Sequence, residues 1–146
     1  MKRLELETMV YMAEVSKENG GVTKVLVGGG RYVVSIEEPL SEKYVPFTSK
    51  DNVTLGAWLD LIIEGEDFLH DYYNLEYMVN LYENLAIGTW LDTEENFIEC
   101  TLNVLTDNRH HAMMLAIEFE QRYIFDLEAD EAISVEDLKQ GGRNGL

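Results

Sequence analysis

Apolar residues recur at helical spacing in some stretches of the chain and alternate with polar ones in others, and this pattern sets the expected elements. Over residues 5–18, Leu6, Met9, Val10 and Ala13 share one helical face, while Glu5, Glu14 and Lys17 fall elsewhere. Asn19-Gly20-Gly21 ends that helix, because glycine enters the left-handed conformation without a Cβ penalty. Val22–Val27 and Arg31–Ile36 are β-branched and alternating, with Gly28-Gly29-Gly30 between them. That arrangement predicts a β-hairpin with a glycine loop. A further extended segment runs from Lys43 to Phe47 after the turn-forming Glu38-Pro39, and Thr48 to Asn52 is polar and loop-like.

Residues 54–83 read as two helices broken near Gly65. Leu55, Trp58, Leu59 and Ile62 make one stripe. Phe68, Leu69, Tyr72, Leu75, Met78, Val79 and Tyr82 continue at helical spacing. Asp60, Glu64, Asp67, Asp71, Glu76 and Glu83 fall between the apolar positions, so these helices would gather carboxylates on a common face. Neighbours three and four apart on a helix lie about 5–6 Å from each other, a spacing close to that of phosphates along a nucleic-acid strand.

Ile87–Leu91 and Phe97–Leu105 read as paired strands joined by the turn Asp92–Asn96. Asp107 is placed to cap a helix from Asn108 to about Gln121, Tyr123–Leu127 reads as a last strand, and Ser134-Val135-Glu136-Asp137 resembles the start of a short capped helix. Residues 141–146 read as a flexible tail. The expected fold class is α+β: a single domain over residues 1–140, with a small antiparallel sheet of hairpins packed with several helices. The heptapeptides Thr54–Asp60 and Ala86–Asp92 both read x-x-Gly-x-Trp-Leu-Asp. Their flanks differ, and the first reads as helix and the second as strand, so the match is a coincidence of letters.

Charge changes this picture. The chain of 146 residues has 28 acids against 11 bases, a formal net charge of −17. Residues 1–50 are balanced, with seven acids and seven bases, whereas residues 51–108 carry thirteen acids and no Lys or Arg. Protein surfaces ordinarily intersperse both signs, because uncompensated repulsion costs stability. Such a field argues against direct binding to nucleic acid or to anionic membranes, and favours a basic protein surface. No apolar run approaches the length of a membrane span, and the N-terminal bases lack the apolar stretch of a signal peptide, so a cytoplasmic setting is expected.

The candidate chemistry is sparse. Cys100 is the single cysteine and sits in an alternating run, as a half-buried strand residue would. His110 and His111 are adjacent, about 100° apart on a helix, and so cannot chelate one metal as an i, i+4 pair does. Asp60, Glu64, Glu66, Asp67 and Asp71 could take Ca²⁺ or Mg²⁺ weakly, but they lack the alternating oxygen ligands of an EF-hand loop. Gly28–Gly30 lacks the Lys-Ser/Thr of a phosphate loop. No catalytic residue, cofactor or metal site is expected.

The chain resembles a family of small uncharacterised proteins of phages, prophages and their bacterial hosts. The resemblance lies in Glu18–Thr23, Gly30–Ser35, Ile87–Asp92, Val104–Asp107, the helix containing Ala112, and Tyr123–Leu127. Where the family pattern has Asn-Gln before its last strand this chain has Glu120-Gln121-Arg122, and Thr93-Glu94-Glu95-Asn96 replaces a glycine turn. No activity comes with the resemblance; it implies the setting of mobile-element accessory genes, in which small acidic proteins often block host defence. The expectation is a non-enzymatic inhibitor of the anti-CRISPR or anti-restriction kind. Its partner would be a host nuclease or its guide complex, bound through Asp60, Glu64, Glu66, Asp67, Asp71, Glu76, Asp92, Glu94 and Glu95, with Tyr72 and Tyr73 as aromatic anchors. The alternative is a phage structural or assembly module whose acidity only confers solubility; a divalent-metal enzyme ranks third.

Overall fold

The alternating segments assemble into one antiparallel sheet with helices on one face, an α+β fold. The structure, a computed structural model, describes residues 4–36, 44–72 and 83–144. In chain order the elements are α1 (Leu6–Asn19), β1 (Gly21–Val27), β2 (Tyr32–Ile36), β3 (Tyr44–Pro46), a 3-10 turn (Lys50–Asn52), α2 (Leu55–Tyr72), β4 (Leu85–Asp92), β5 (Phe97–Thr106), α3 (Arg109–Glu118), β6 (Tyr123–Asp126), β7 (Glu131–Ser134) and α4 (Val135–Asn144).

The strand order is β1-β4-β5-β2-β6-β7, and β3 also pairs with β5. This corrects the expected β1–β2 hairpin. Both strands form, but β4 and β5 lie between them. The glycine segment is therefore a strap that crosses the end of the β4–β5 hairpin. The Gly29 N–H donates to Asn84 Oδ1 at 2.9 Å, and the Arg31 N–H donates to Asp107 Oδ1 at 2.9 Å. The glycines are needed for closeness: a Cβ on Gly30 would lie 2.6 Å from the Thr106 nitrogen, and Gly28 has φ +68°. β2 and β3 run along the same side of β5, with Ile36 opposite Leu102 and Tyr44 opposite Glu99.

Pleating sends alternate residues of the central strands toward the helices. Leu85, Ile87 and Leu91 of β4 and Ile98, Cys100 and Leu102 of β5 pack with Met12 and Ala13 of α1 and with Trp58, Leu61 and Ile62 of α2. Tyr32, Val34 and Ile124 pack under Ala112 and Ala116 of α3 and Val135 and Leu138 of α4. On the opposite face, Val33, Ala86 and Leu105 form a smaller cluster. There Ser35 donates to Asn103 Oδ1 at 2.8 Å.

The helices start and stop by local chemistry. The Gly20 N–H returns to the Ser16 carbonyl at φ +83°, ending α1. Thr54 Oγ1 accepts from the Ala57 N–H, opening α2. Asn108, and not the expected Asp107, caps α3 by accepting from the His111 N–H at 2.9 Å. The one-residue shift arises because Asp107 is committed to the strap. α2 runs unbroken through Gly65, where a break was expected. Gly65 is buried against Cys100, and a Cβ there would collide with its Sγ. α1 is rotated from the expected face, with Met12, Ala13 and Ser16 buried and Leu6 exposed. β7 was not foreseen, and α4 extends to Asn144 through residues expected to form a flexible tail.

Candidate functional site: an acidic helical face

α1 packs along α2, and both bury one face against the sheet. On α2 the exposed residues include Asp60, Glu64 and Asp67, four and three apart and hence neighbours on one stripe. On α1 the exposed residues Glu7, Tyr11, Glu14 and Glu18 follow a 4-3-4 spacing and make a second stripe. Tyr11 is 64% exposed in the middle of it. Glu7, Glu14, Glu18, Asp60 and Glu64 have no ion-pair partner among the described residues. Lys17 is the single base on these two helices.

The α1 acids were missed from the sequence because residues 1–50 balance to zero. Helical spacing was the available signal: it sets Glu7, Glu14 and Glu18 on one stripe of a helix that holds a single Lys, while most of the bases that cancel them in the count lie outside that helix. Glu66, expected on the acidic face, is instead 5% exposed. It stands four residues after Ile62, on the buried side of α2, and its Oε1 accepts the Leu4 N–H at 2.8 Å. A carboxylate there is structural, because moving it into the core interface requires hydrogen-bond donors. Tyr73 and Glu76 lie outside the described residues, as do the side chains of Asp71 and Tyr72.

Asp92, Glu94 and Glu95 sit apart from these stripes, in the β4–β5 turn. Asp92 Oδ1 accepts from the N–H groups of Glu94 and Glu95, both at 3.0 Å. Arg122 donates to Asp92 at 3.3 Å and to Glu94 at 3.0 Å. Two of these three carboxylates, Asp92 and Glu94, are thus engaged in holding the turn to the segment after α3, and Glu95 is exposed.

The other carboxylates with strong partners are remote from α1 and α2. Asp126 takes a two-pronged bond from Arg31, Nε to Oδ1 at 2.9 Å and an Nη to Oδ2 at 2.8 Å. That guanidinium, joined by the N–H groups of Ala129 and Glu128 and opposed by burial, holds the Asp126 carboxyl down at about 2. Burial pushes the Cys100 thiol up to about 12, so it carries no thiolate at neutral pH. Among the described residues no group of three His, Cys, Asp or Glu side chains could hold a metal ion, and no helix is long and apolar enough to cross a membrane.

Set against known proteins, the chain matches no family model, no curated protein and no solved structure. The functional reading therefore rests on the molecule itself.

Proposed function

We propose that this protein is a non-enzymatic binding protein that presents the α1–α2 face to a basic protein surface. It would act there as a stand-in for nucleic acid, as a phage-type inhibitor of host defence would. The observation that carries this reading is the exposed set Glu7, Glu14, Glu18, Asp60 and Glu64 on two packed helices, with no ion-pair partner among the described residues. Repulsion among like charges weakens a fold slightly, and these acids gain nothing locally in return. A Lys/Arg-lined groove supplies the missing counter-charge, and long-range attraction speeds encounter. Tyr11, rigid and amphipathic, suits an anchoring contact within the charged surround.

The test is capture of partners from a bacterial lysate, followed by competition. The expected partner is a nucleic-acid-binding protein that duplex DNA or guide RNA displaces, with affinity falling steeply as salt rises. Exposed charges are screened over about 8–10 Å at physiological ionic strength. A partner that nucleic acid does not displace, bound equally well in low and high salt, overturns the reading.

A further inference from the structure

The second half of α3 exposes apolar surface. Met114 is 50% exposed and Ile117 is 42% exposed, three residues apart and therefore adjacent on the helix. Beside them a groove of about 370 Å³ opens between α3 and the start of α4, with Ala116, Ile117 and Val135 among its apolar lining. Its end is built in advance of any ligand. Glu120 adopts the left-handed conformation at φ 55°, and the Gln121 N–H returns to the Ala116 carbonyl at 2.7 Å, closing α3 with a Schellman-type turn.

The charges around the groove are asymmetric. Its two cations are already engaged, Arg122 with Asp92 and Glu94, and Lys139 with Glu136 at 3.2 Å. Glu118 and Glu120 are exposed and have no ion-pair partner among the described residues. A groove that is part apolar and part polar, with its own cations paired and with Glu118 and Glu120 making no ion pair among the described residues, fits an apolar side chain flanked by Lys or Arg.

We infer that this groove docks an amphipathic basic helix of a partner protein. An aliphatic side chain would seat against Ile117 and Val135 in the groove and cover the neighbouring Met114, and flanking Lys or Arg side chains would reach Glu118 and Glu120. Methionine suits this role because its unbranched thioether adapts to differently shaped side chains. A second copy of this chain is the poorer occupant, since it would bring together two molecules of net charge −17. The inference rests on the binding reading above and adds to it a second place of apolar contact, apart from Tyr11.

Two synthetic probes separate the two ideas: a helix-forming Leu/Lys peptide with its leucines on one face, and an oligolysine of equal charge. The full chain should bind the amphipathic peptide roughly tenfold or more tightly than oligolysine, as a buried apolar anchor would provide. Amide shifts on binding should concentrate at residues 113–123 and 134–139. The variant Met114→Ser/Ile117→Ser alters exposed positions and should keep its circular dichroism. It should lose that roughly tenfold advantage while binding oligolysine as before. Wild-type affinity of this variant for the amphipathic peptide, or shifts confined to α1 and α2, overturns the inference. So does a wild-type dimer that the variant abolishes, which would put a second copy in the groove. If oligolysine fails to bind while the amphipathic peptide still perturbs the groove, the charge reading falls and the groove assignment stands.

Discussion

The heptapeptides Thr54–Asp60 and Ala86–Asp92 share Gly, Trp, Leu and Asp in the same order, and the fold uses nearly every shared letter differently. The first opens α2 and the second forms β4. Trp58 is 1% exposed in the main core, whereas Trp90 is 43% exposed on the face away from the helices. Gly56 has open space around it, with Thr54 Oγ1 at 3.8 Å the nearest atom to an added Cβ, whereas at Gly88 a Cβ would lie 2.5 Å from Asn103 Nδ2. Asp60 is exposed and has no ion-pair partner among the described residues, whereas Asp92 caps a turn and meets Arg122. Periodicity decides these roles. At 3.6 residues per turn the Trp of the first copy falls on the inner stripe. At a period of two, Leu91 takes the inner side and Trp90 the outer.

The largest contrast is at the tryptophans. Trp58→Ala should cost about 3–5 kcal/mol, the range for emptying an aromatic from a close-packed core. Trp90→Ala should cost well under half of that. Urea unfolding of the two variants, with equal m-values as a check on the unfolded state, decides it. Equal losses would mean that the partly exposed indole is as essential to packing as the buried one.

The glycines should differ in sign. Gly88→Ala forces Asn103 out of its bonds to Ser35 and Thr101 and should destabilise by about 1–3 kcal/mol, as overpacking does. Gly56→Ala lies in a helix with space for the methyl group, and should stabilise by about 0.5–1 kcal/mol. Thermal unfolding of both variants gives the sign directly. A destabilising Gly56→Ala would show that the first turn of α2 needs glycine for a reason other than space.

Local chemistry was legible in the sequence, as was the pairing of β4 with β5 across its short turn; pairing between strands distant in the chain was not. The six foreseen strands, α1, the first half of α2 and α3 follow from period and caps, which act within a few residues. The β1–β2 hairpin failed because a three-glycine link looks the same whether its strands pair or a distant hairpin enters between them. Only contact of Gly28 and Gly30 with residues 83–84 and 105–106 distinguishes the two. Gly65 misled for the same reason: its function is to admit Cys100, 35 positions away in the chain. On the acidic face, Asp60, Glu64 and Asp67 were legible from spacing alone. Glu66 was misplaced by counting acids as a run: its spacing, four residues after Ile62, sets it on the buried stripe. The α1 stripe was hidden by averaging charge over segments instead of over faces.

Asp92→Ala should have an intermediate effect. It removes the acceptor for the Glu94 and Glu95 N–H groups and one partner of Arg122. Cap losses run to about 1 kcal/mol, and exposed ion pairs add about 0.2–1 kcal/mol. The double variant with Arg122→Ala should therefore fall only slightly below Asp92→Ala alone in urea midpoint. Full additivity would mean that Arg122 acts mainly through Glu94.

The smallest effect on stability, and the one that bears on function, belongs to Asp60. Reversal to Lys, alone or with Glu64, Glu14 and Glu18, changes exposed positions that make no ion pair among the described residues, so each should shift stability by under about 0.5 kcal/mol. Relief of repulsion on two helices whose single Lys or Arg is Lys17 pushes the sign toward slight stabilisation. Binding to a basic partner should behave oppositely, because attraction at the same contacts becomes repulsion, and the loss should shrink as salt rises. Because α1 packs along α2, the α1 acids belong to the same test and cannot serve as its control. The control set is Glu128, Asp130 and Glu131 at the β6–β7 end, exposed and equal in sign. If reversing those three weakens binding as much as an equal number of reversals on α1 and α2, only net charge matters and the helical face has no special role. If the α1–α2 reversals leave binding intact while circular dichroism confirms the fold, Asp60 is an ordinary surface acid, and the contrast with Asp92 is one of structure alone.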